Sequence, residues 1–136
     1  MELVTSKMCM EKDLGVNHNL FGGNMMAWLD EAAAIFAHEK THESYMVTVK
    51  FDALIFKSPV KERDIVKIFC GNEKVGNTSL TFDVEARIKG RVVCQTTCTF
   101  VATTSLGVKK FIGVNALASR FQSGISFPKR NYFSED

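Results

Sequence analysis

Between Asn19 and Glu39 the large apolar side chains recur every three or four residues: Phe21, Met25, Trp28, Leu29, Ala32, Ile35 and Phe36. That spacing predicts one amphipathic helix with the pair Gly22–Gly23 near its start. Its other face carries Gly23, Met26, Ala27, Asp30, Ala33, Ala34 and Ala37, where a water-facing surface would carry Lys and Glu. At about 100° per residue, Asp30 falls roughly opposite the bulky stripe. A helix that is apolar nearly all round is expected to be buried on nearly all sides. Its small residues let another backbone, or a flat ligand, come close. Asp30 is then a carboxylate placed where charge is costly without a partner or a purpose.

The rest of the chain follows a period of two. Leu3 to Met10 reads as a short leading strand, and Glu11 to His18 as a polar loop. Lys40 to Ser44 is a polar turn. From Tyr45 to Phe56, Val47, Val49, Phe51 and Ala53 alternate with Thr48, Lys50 and Asp52, until Pro59 breaks the run. Arg63 to Cys70 is a second strand, and Gly71 to Asn77 reads as a turn. Leu80 to Lys89 alternates most cleanly: Leu80, Phe82, Val84, Ala86 and Ile88 against Thr81, Asp83, Glu85, Arg87 and Lys89. It predicts an antiparallel strand with one wet face. Gly90 makes a hairpin. Val92 to Thr103 returns with Cys94, Thr96, Cys98, Phe100 and Ala102 on one side. A curved antiparallel sheet wrapped around a single apolar helix satisfies both periods, an α+β domain over residues 1–107. The helix's small-residue face needs a further cover, and a second copy of the chain is the economical one, so a dimer is expected. From Ser105 the pattern dissolves. Residues 108–136 read as a partly ordered tail in which Lys109, Lys110, Arg120, Lys129 and Arg130 separate scattered apolar residues.

Composition narrows the class. A chain of 136 residues with 46% hydrophobic content fits one domain with a proper core. The formal net charge of +2 argues against nucleic acid as the main partner. The N-terminus has no apolar run of the secretory kind, and no stretch approaches the ~20 apolar residues of a spanning helix. A soluble cytoplasmic protein without membrane insertion is expected. Cys9, Cys70, Cys94 and Cys98 read as buried reduced thiols. On a strand, Cys94 and Cys98 stand roughly 13 Å apart and cannot share a metal. His38 and His42 have metal-ligand spacing, yet at a helix end they read better as C-terminal cations. No metal or redox cofactor is expected.

Four runs, NLFGG-NMMAWLDEAAAIFA, VTVKFDALIFKSPVKERD, KVGNTSLTFDVEAR and TFVATTSLG, occur in order. Together they resemble the hotdog-fold acyl-CoA thioesterases, and within them the bacterial YciA-type enzymes and mammalian cytosolic acyl-CoA hydrolases. The similarity covers roughly residues 8 to 107. It implies a hotdog fold, hydrolysis of acyl-CoA to free CoA and a carboxylic acid, and dimers often stacked as a trimer of dimers. By position, Asp30 matches the family's catalytic carboxylate, and Gly22 and Gly23 its glycine pair. Thr48, Phe56, Pro59 and Asp64 match framework positions. Lys74, Val75, Gly76, Asn77, Thr78 and Ser79 match the turn and strand start lining the CoA groove. The family commonly carries Asn eight residues before the second glycine. Here that position is Gly15, and Asn17 or Asn19 is left to supply the amide.

The residues themselves suit this chemistry. Thioester hydrolysis needs an activated water or a nucleophile, and donors for the oxyanion. Asp30 in an apolar setting would have a raised pKa and act as base or nucleophile. The N–H groups of Gly22 and Gly23, at a helix start, suit a developing negative charge. Val75 to Ser79 offers backbone N–H groups and two hydroxyls to a phosphate or amide. Lys57 and Lys74 could meet CoA phosphates as point charges. The alternative is a non-catalytic acyl-CoA binding or sensing module on the same fold. Hydratase chemistry fits less well, since no histidine is placed to partner Asp30.

Overall fold

The computed structural model describes residues 1–113, so the expectations for the tail beyond Gly113 lie outside the described residues. Strand β1 (Glu2–Met8) leads into a 3-10 turn at Glu11–Asp13 and then helix α1 (Gly22–Thr41). Five strands follow: β2 (Met46–Phe51), β3 (Ile55–Phe56), β4 (Ile65–Val75), β5 (Ser79–Ile88) and β6 (Arg91–Ala102). They form one antiparallel sheet in the order β1-β4-β5-β6-β2, with β3 also on β6. The sheet is open and curves around α1, the wrapped-helix arrangement that the two periods predict.

The core lies between them. Helix residues Met25, Leu29, Ala32, Ala33, Phe36 and Ala37 are buried against Ile68, Phe82, Val84, Cys98 and Phe100 of the sheet. Phe36 meets Phe82 at 4.7 Å between centroids, and Phe82 lies 5.8 Å from Phe100. The alternation of β5 and β6 is realised as read: Leu80, Phe82, Val84, Ala86 and Ile88 are all buried. Lys89 (φ 51°) and Gly90 (φ 80°) form the two-residue turn between them, with both φ values in the region that a type I′ hairpin requires.

Four expectations need correction. The helix starts at Gly22 rather than Asn19, because Leu20 is held outside it by an N–H to Val60 carbonyl bond of 2.7 Å. It runs to Thr41, where His42 turns left-handed (φ 58°) and donates its N–H to His38. Its buried face is also rotated from the predicted stripe: Ala33 and Ala37 are in the core, while Phe21 and Ile35 are exposed. Alanines there let the helix approach the sheet closely. The run Tyr45 to Phe56 is two strands, and Val47 and Val49 are exposed, since β2 is a sheet edge. Finally, β4 continues to Val75 through a bulge between Gly71 and Lys74, so Lys74 and Val75 are strand residues, not turn residues.

Candidate active site

Asp30 stands on the middle of α1, on the side turned away from the sheet core. The Thr48 hydroxyl donates to its Oδ1 at 2.9 Å. Thr48 comes from β2, so the bond ties helix to edge strand. Asp30 lines an open groove of about 220 Å³ together with Met26, Ala27, Leu29, Phe51 and Leu54. Its surroundings are as apolar as the sequence predicts, but one chain does not bury it: Asp30 is exposed, beside exposed Met26. The reason is geometric. Among the described residues, the sheet wraps one side of the helix, and the side bearing Asp30 is left uncovered.

The helix start is built around Phe21. A Cβ on Gly23 would come within 2.7 Å of the Phe21 ring, and one on Gly15 within 3.3 Å. A side chain at Gly23 would have to displace the exposed Phe21 ring. A Cβ on Gly22 would meet only Phe56, at 3.8 Å. The N–H groups of Gly22 and Gly23 lie in the first turn, where an α-helix offers no carbonyl one turn earlier. Lys57 follows Phe56 and so stands near this end. It is exposed.

The two asparagines fare differently. Asn17 is exposed in the loop. The Asn19 side-chain oxygen accepts from the Lys61 ammonium, and its carbonyl accepts from Gly15 N–H at 2.8 Å. The turn after β4 does not present itself as predicted. Gly76, Asn77 and Ser79 are buried, and Gly76 N–H is spent on the Ser79 carbonyl at 2.7 Å. Ile112, itself buried, donates its N–H to the Asn77 carbonyl at 2.9 Å. Buried Glu43 holds that crossing segment, accepting from Gly113 N–H at 2.7 Å and pairing Lys110 at 2.9 Å. A strap from far along the chain thus covers the turn, and local sequence carries no sign of it. Thr78 is half-buried and Lys74 exposed.

Asp13 is a second residue that its local pattern hides. It reads as loop polarity, yet it is 6% exposed. Its carboxylate accepts from Met10 N–H (3.0 Å) and Lys12 (2.9 Å), and its carbonyl from Phe21 N–H and the Asn24 amide. These bonds anchor the helix start. The Met10 N–H first, and Lys12 second, hold the Asp13 carboxyl below its ordinary range. A group whose pKa falls on folding stabilises the fold above its unfolded pKa of ~3.9, and that contribution is lost as pH drops through the folded value. We expect Asp13→Asn to lower the unfolding free energy at pH 7 by about 1–2 kcal/mol. In denaturant titrations the gap to the parent should shrink below about pH 4. A gap unchanged down to pH 2 would contradict this.

The His pair is also structural: His38 Nδ1 lies 2.7 Å from the Ala34 carbonyl, and His42 caps the helix. Among the described residues, no three His, Cys, Asp or Glu side chains are grouped to hold a metal, and no helix is long and apolar enough to cross a membrane. All four cysteines are buried and unpaired, and burial pushes the Cys94 thiol up to about 11.

Comparison with known proteins places this geometry in context. The sequence profile of the thioesterase superfamily matches residues 17–95. The acyl-CoA thioester hydrolase YciA of Salmonella typhimurium is 34% identical over 88 residues, 65% of either chain. The match thus spans less than two thirds of that relative's length. A hexameric hotdog-fold thioesterase of Campylobacter jejuni, Cj0915, superposes with a TM-score of 0.78 at 30% identity, over 88% of this chain and 96% of that one. HI0827, a hexameric broad-specificity acyl-coenzyme A thioesterase, in a form with one aspartate changed to alanine, gives 0.79 at 26% identity over 89% and 98%.

Proposed function

The chain belongs to the thioesterase superfamily, and from that premise we propose that it hydrolyses acyl-CoA thioesters at a site shared by two of its copies. The observation that carries the reading is the carboxylate of Asp30, held by Thr48 in the lining of an otherwise apolar groove. Water adds to the thioester carbonyl as Asp30 takes its proton, the C–S bond breaks, and CoA leaves as a thiolate that is reprotonated; or Asp30 attacks the carbonyl itself, CoA leaves in the same way, and water then hydrolyses the acyl–Asp30 anhydride to release the carboxylic acid and regenerate Asp30.

The helix dictates why two copies are needed. Gly22 and Asp30 are eight residues apart on α1, or about 12 Å along its axis at 1.5 Å per residue. A carbonyl close to Asp30 is therefore out of reach of the Gly22 and Gly23 N–H groups of the same chain. A second copy packed antiparallel on the uncovered face brings its own helix start to the first copy's Asp30. Exposed Met26 and Ala27, one turn before Asp30, belong to that face and would be covered by the second copy. Pairing of this kind, and its stacking into a trimer of dimers, is what we assign to this chain. Asp30, shielded in the pair, is the base or nucleophile, and the partner's glycine amides stabilise the oxyanion. Lys57, beside the positive helix end, faces the CoA phosphates. Asn17, unlike Asn19, has its amide exposed toward solvent and is the better candidate to place the thioester.

Release of free thiol from a panel of acyl-CoAs tests the reading. Turnover supports it. Acyl-CoA binding without thiol release supports the alternative of a non-catalytic binding or sensing module, which Gly15 in the family's Asn position favours. Thr48 is a positioning residue on this account. Thr48→Val is expected to lower kcat about fivefold, the worth of one hydrogen bond of about 1 kcal/mol, with KM unchanged. Thr48→Ser should restore it. A change in KM alone would assign Thr48 to binding instead.

A further inference from the structure

Helix α1 starts without a side-chain cap. Its N-cap is Phe21, with extended backbone (φ −63°, ψ 132°) and no side-chain hydrogen bond. Ser, Thr, Asp or Asn in that place would turn an oxygen onto the N–H groups of the second or third helical residue. In this chain the N–H groups of Asn24 and Met25 turn back to the Phe21 carbonyl, at 2.9 and 3.1 Å. Those of Gly22 and Gly23 have no hydrogen-bond acceptor among the described residues.

The anchor that replaces the cap comes from behind. The Asp13 carbonyl takes two donors, the Phe21 N–H at 3.0 Å and the Asn24 side-chain amide at 2.9 Å. Only the nitrogen of that amide can face a carbonyl. Phe21 and Asn24 are the N-cap and the third helical residue, the two positions that a capping box ties to each other. Here both are tied instead to the last residue of the 3-10 turn. Asp13 is buried, and its carboxylate is itself bonded to Met10 N–H and Lys12, so its carbonyl is a fixed point. Asn24 is half-buried within its own chain. At about 100° per residue it lies about 120° round the helix from Asp30, off the face that a second copy covers.

Resting on the thioesterase reading above, we propose that Asn24 is a positioning residue for the oxyanion donors. Its bond to Asp13 fixes the first turn of α1, so that the Gly22 and Gly23 N–H groups stay open and aimed at the thioester carbonyl beside the other copy's Asp30. Preorganised N–H groups stabilise a developing charge only while their direction is held. Without the Asn24 bond the Asp13 carbonyl still keeps Phe21, so the helix forms. Its first turn is then held at one point in place of two, and two glycines with no Cβ to restrict them swing the donors off the carbonyl.

Asn24→Leu keeps the size of the side chain and removes the donor. In thiol-release assays it is expected to lower kcat about five- to tenfold, with KM and oligomer mass at the parent values. Where the substitution sits separates positioning from general structure. Two mixed assemblies of full-length chains are isolated by different tags. In the first, an Asp30→Asn chain pairs with a chain carrying Gly22→Pro and Asn24→Leu. In the second, a chain carrying Asp30→Asn and Asn24→Leu pairs with a Gly22→Pro chain. Gly22→Pro removes one amide donor, so the one complete site of each pair draws Asp30 from the proline-bearing copy and both amides from the other. Both assemblies hold the same three substitutions, so a general loss of stability lowers them alike. The first is expected to match a pair without the Asn24 change, and the second to turn over about five- to tenfold more slowly. Asn24→Ala takes the place of Asn24→Leu should the latter fail to assemble. Equal and active assemblies, an Asn24→Leu protein as fast as the parent, or a change in KM alone overturn the positioning role by itself. Equal and inactive assemblies from an active parent overturn the two-copy site, and a parent that releases no thiol overturns the thioesterase reading; the role of Asn24 falls with either.

Discussion

Asp30→Asn is expected to lower kcat for acyl-CoA hydrolysis by about 10²–10⁴-fold, the range for removing a positioned general base. The substitution keeps the size of the side chain and an oxygen able to accept from Thr48, and it removes the basic carboxylate. Because Asp30 is exposed in the single chain and contributes nothing to its core, unfolding midpoint and oligomer mass should stay at the parent values. KM should change little. A folded variant that turns over as fast as the parent would show that the proton goes elsewhere. A variant that loses activity only by losing its quaternary structure would show that Asp30 serves assembly rather than chemistry.

The largest effect on stability is expected at Phe36. It is 2% exposed, is among the largest fully buried side chains, and packs between α1 and β5 against Phe82. Phe36→Ala removes its transfer free energy and leaves a cavity that neither helix nor sheet can close, since both are held by neighbours along their lengths. The cost is about 3–5 kcal/mol, a large share of the ~5–15 kcal/mol that a domain of this size has. Chemical denaturation should show the midpoint fall with the m-value unchanged. A loss under 1 kcal/mol would mean that the core repacks freely and that the helix is less tightly wrapped than its burial indicates.

Where the sequence was legible, the reason is local. β5 and β6 each have one wet face and one buried face, so a period of two carries the answer, and every apolar position from Leu80 to Ile88 is buried as read. The helix was legible as an element and only partly as a surface. Its composition, small and apolar on several sides, says that it is enclosed. It does not say which alanines face the sheet, and Ala33 and Ala37 do. The same limit explains Asp30: its small apolar helix face calls for a cover that the described residues of a single chain do not supply, so it is exposed here. Val47 and Val49 are exposed because β2 is a sheet edge, while Phe51 is half-buried. The strap over Gly76 to Ser79 was illegible for a different reason. Its pieces, Glu43, Asn77 and Ile112, are separated by more than thirty residues of chain, and each alone reads as turn or tail. Thr48 shows the limit for polar residues. On a strand its alternation marks it as water-facing, and only the meeting of β2 with α1 makes it the partner of Asp30.

The claim on which the account depends is that Asp30 and the glycine amides serving one thioester come from different copies, and subunit complementation tests it most directly. Gly22→Pro removes one amide donor at the first helical position, where proline is tolerated, and is expected to cost about 10²–10³-fold in kcat. Asp30→Asn and Gly22→Pro chains are co-expressed with different tags, and the doubly tagged assemblies are isolated and assayed for thiol release. Each mixed pair retains one site with an intact Asp30 from the proline-bearing copy and an intact Gly22 amide from the other, so activity should return to about half the parent value per pair. Mixed assemblies as inactive as either variant alone, or a Gly22→Pro protein as active as the parent, would contradict it.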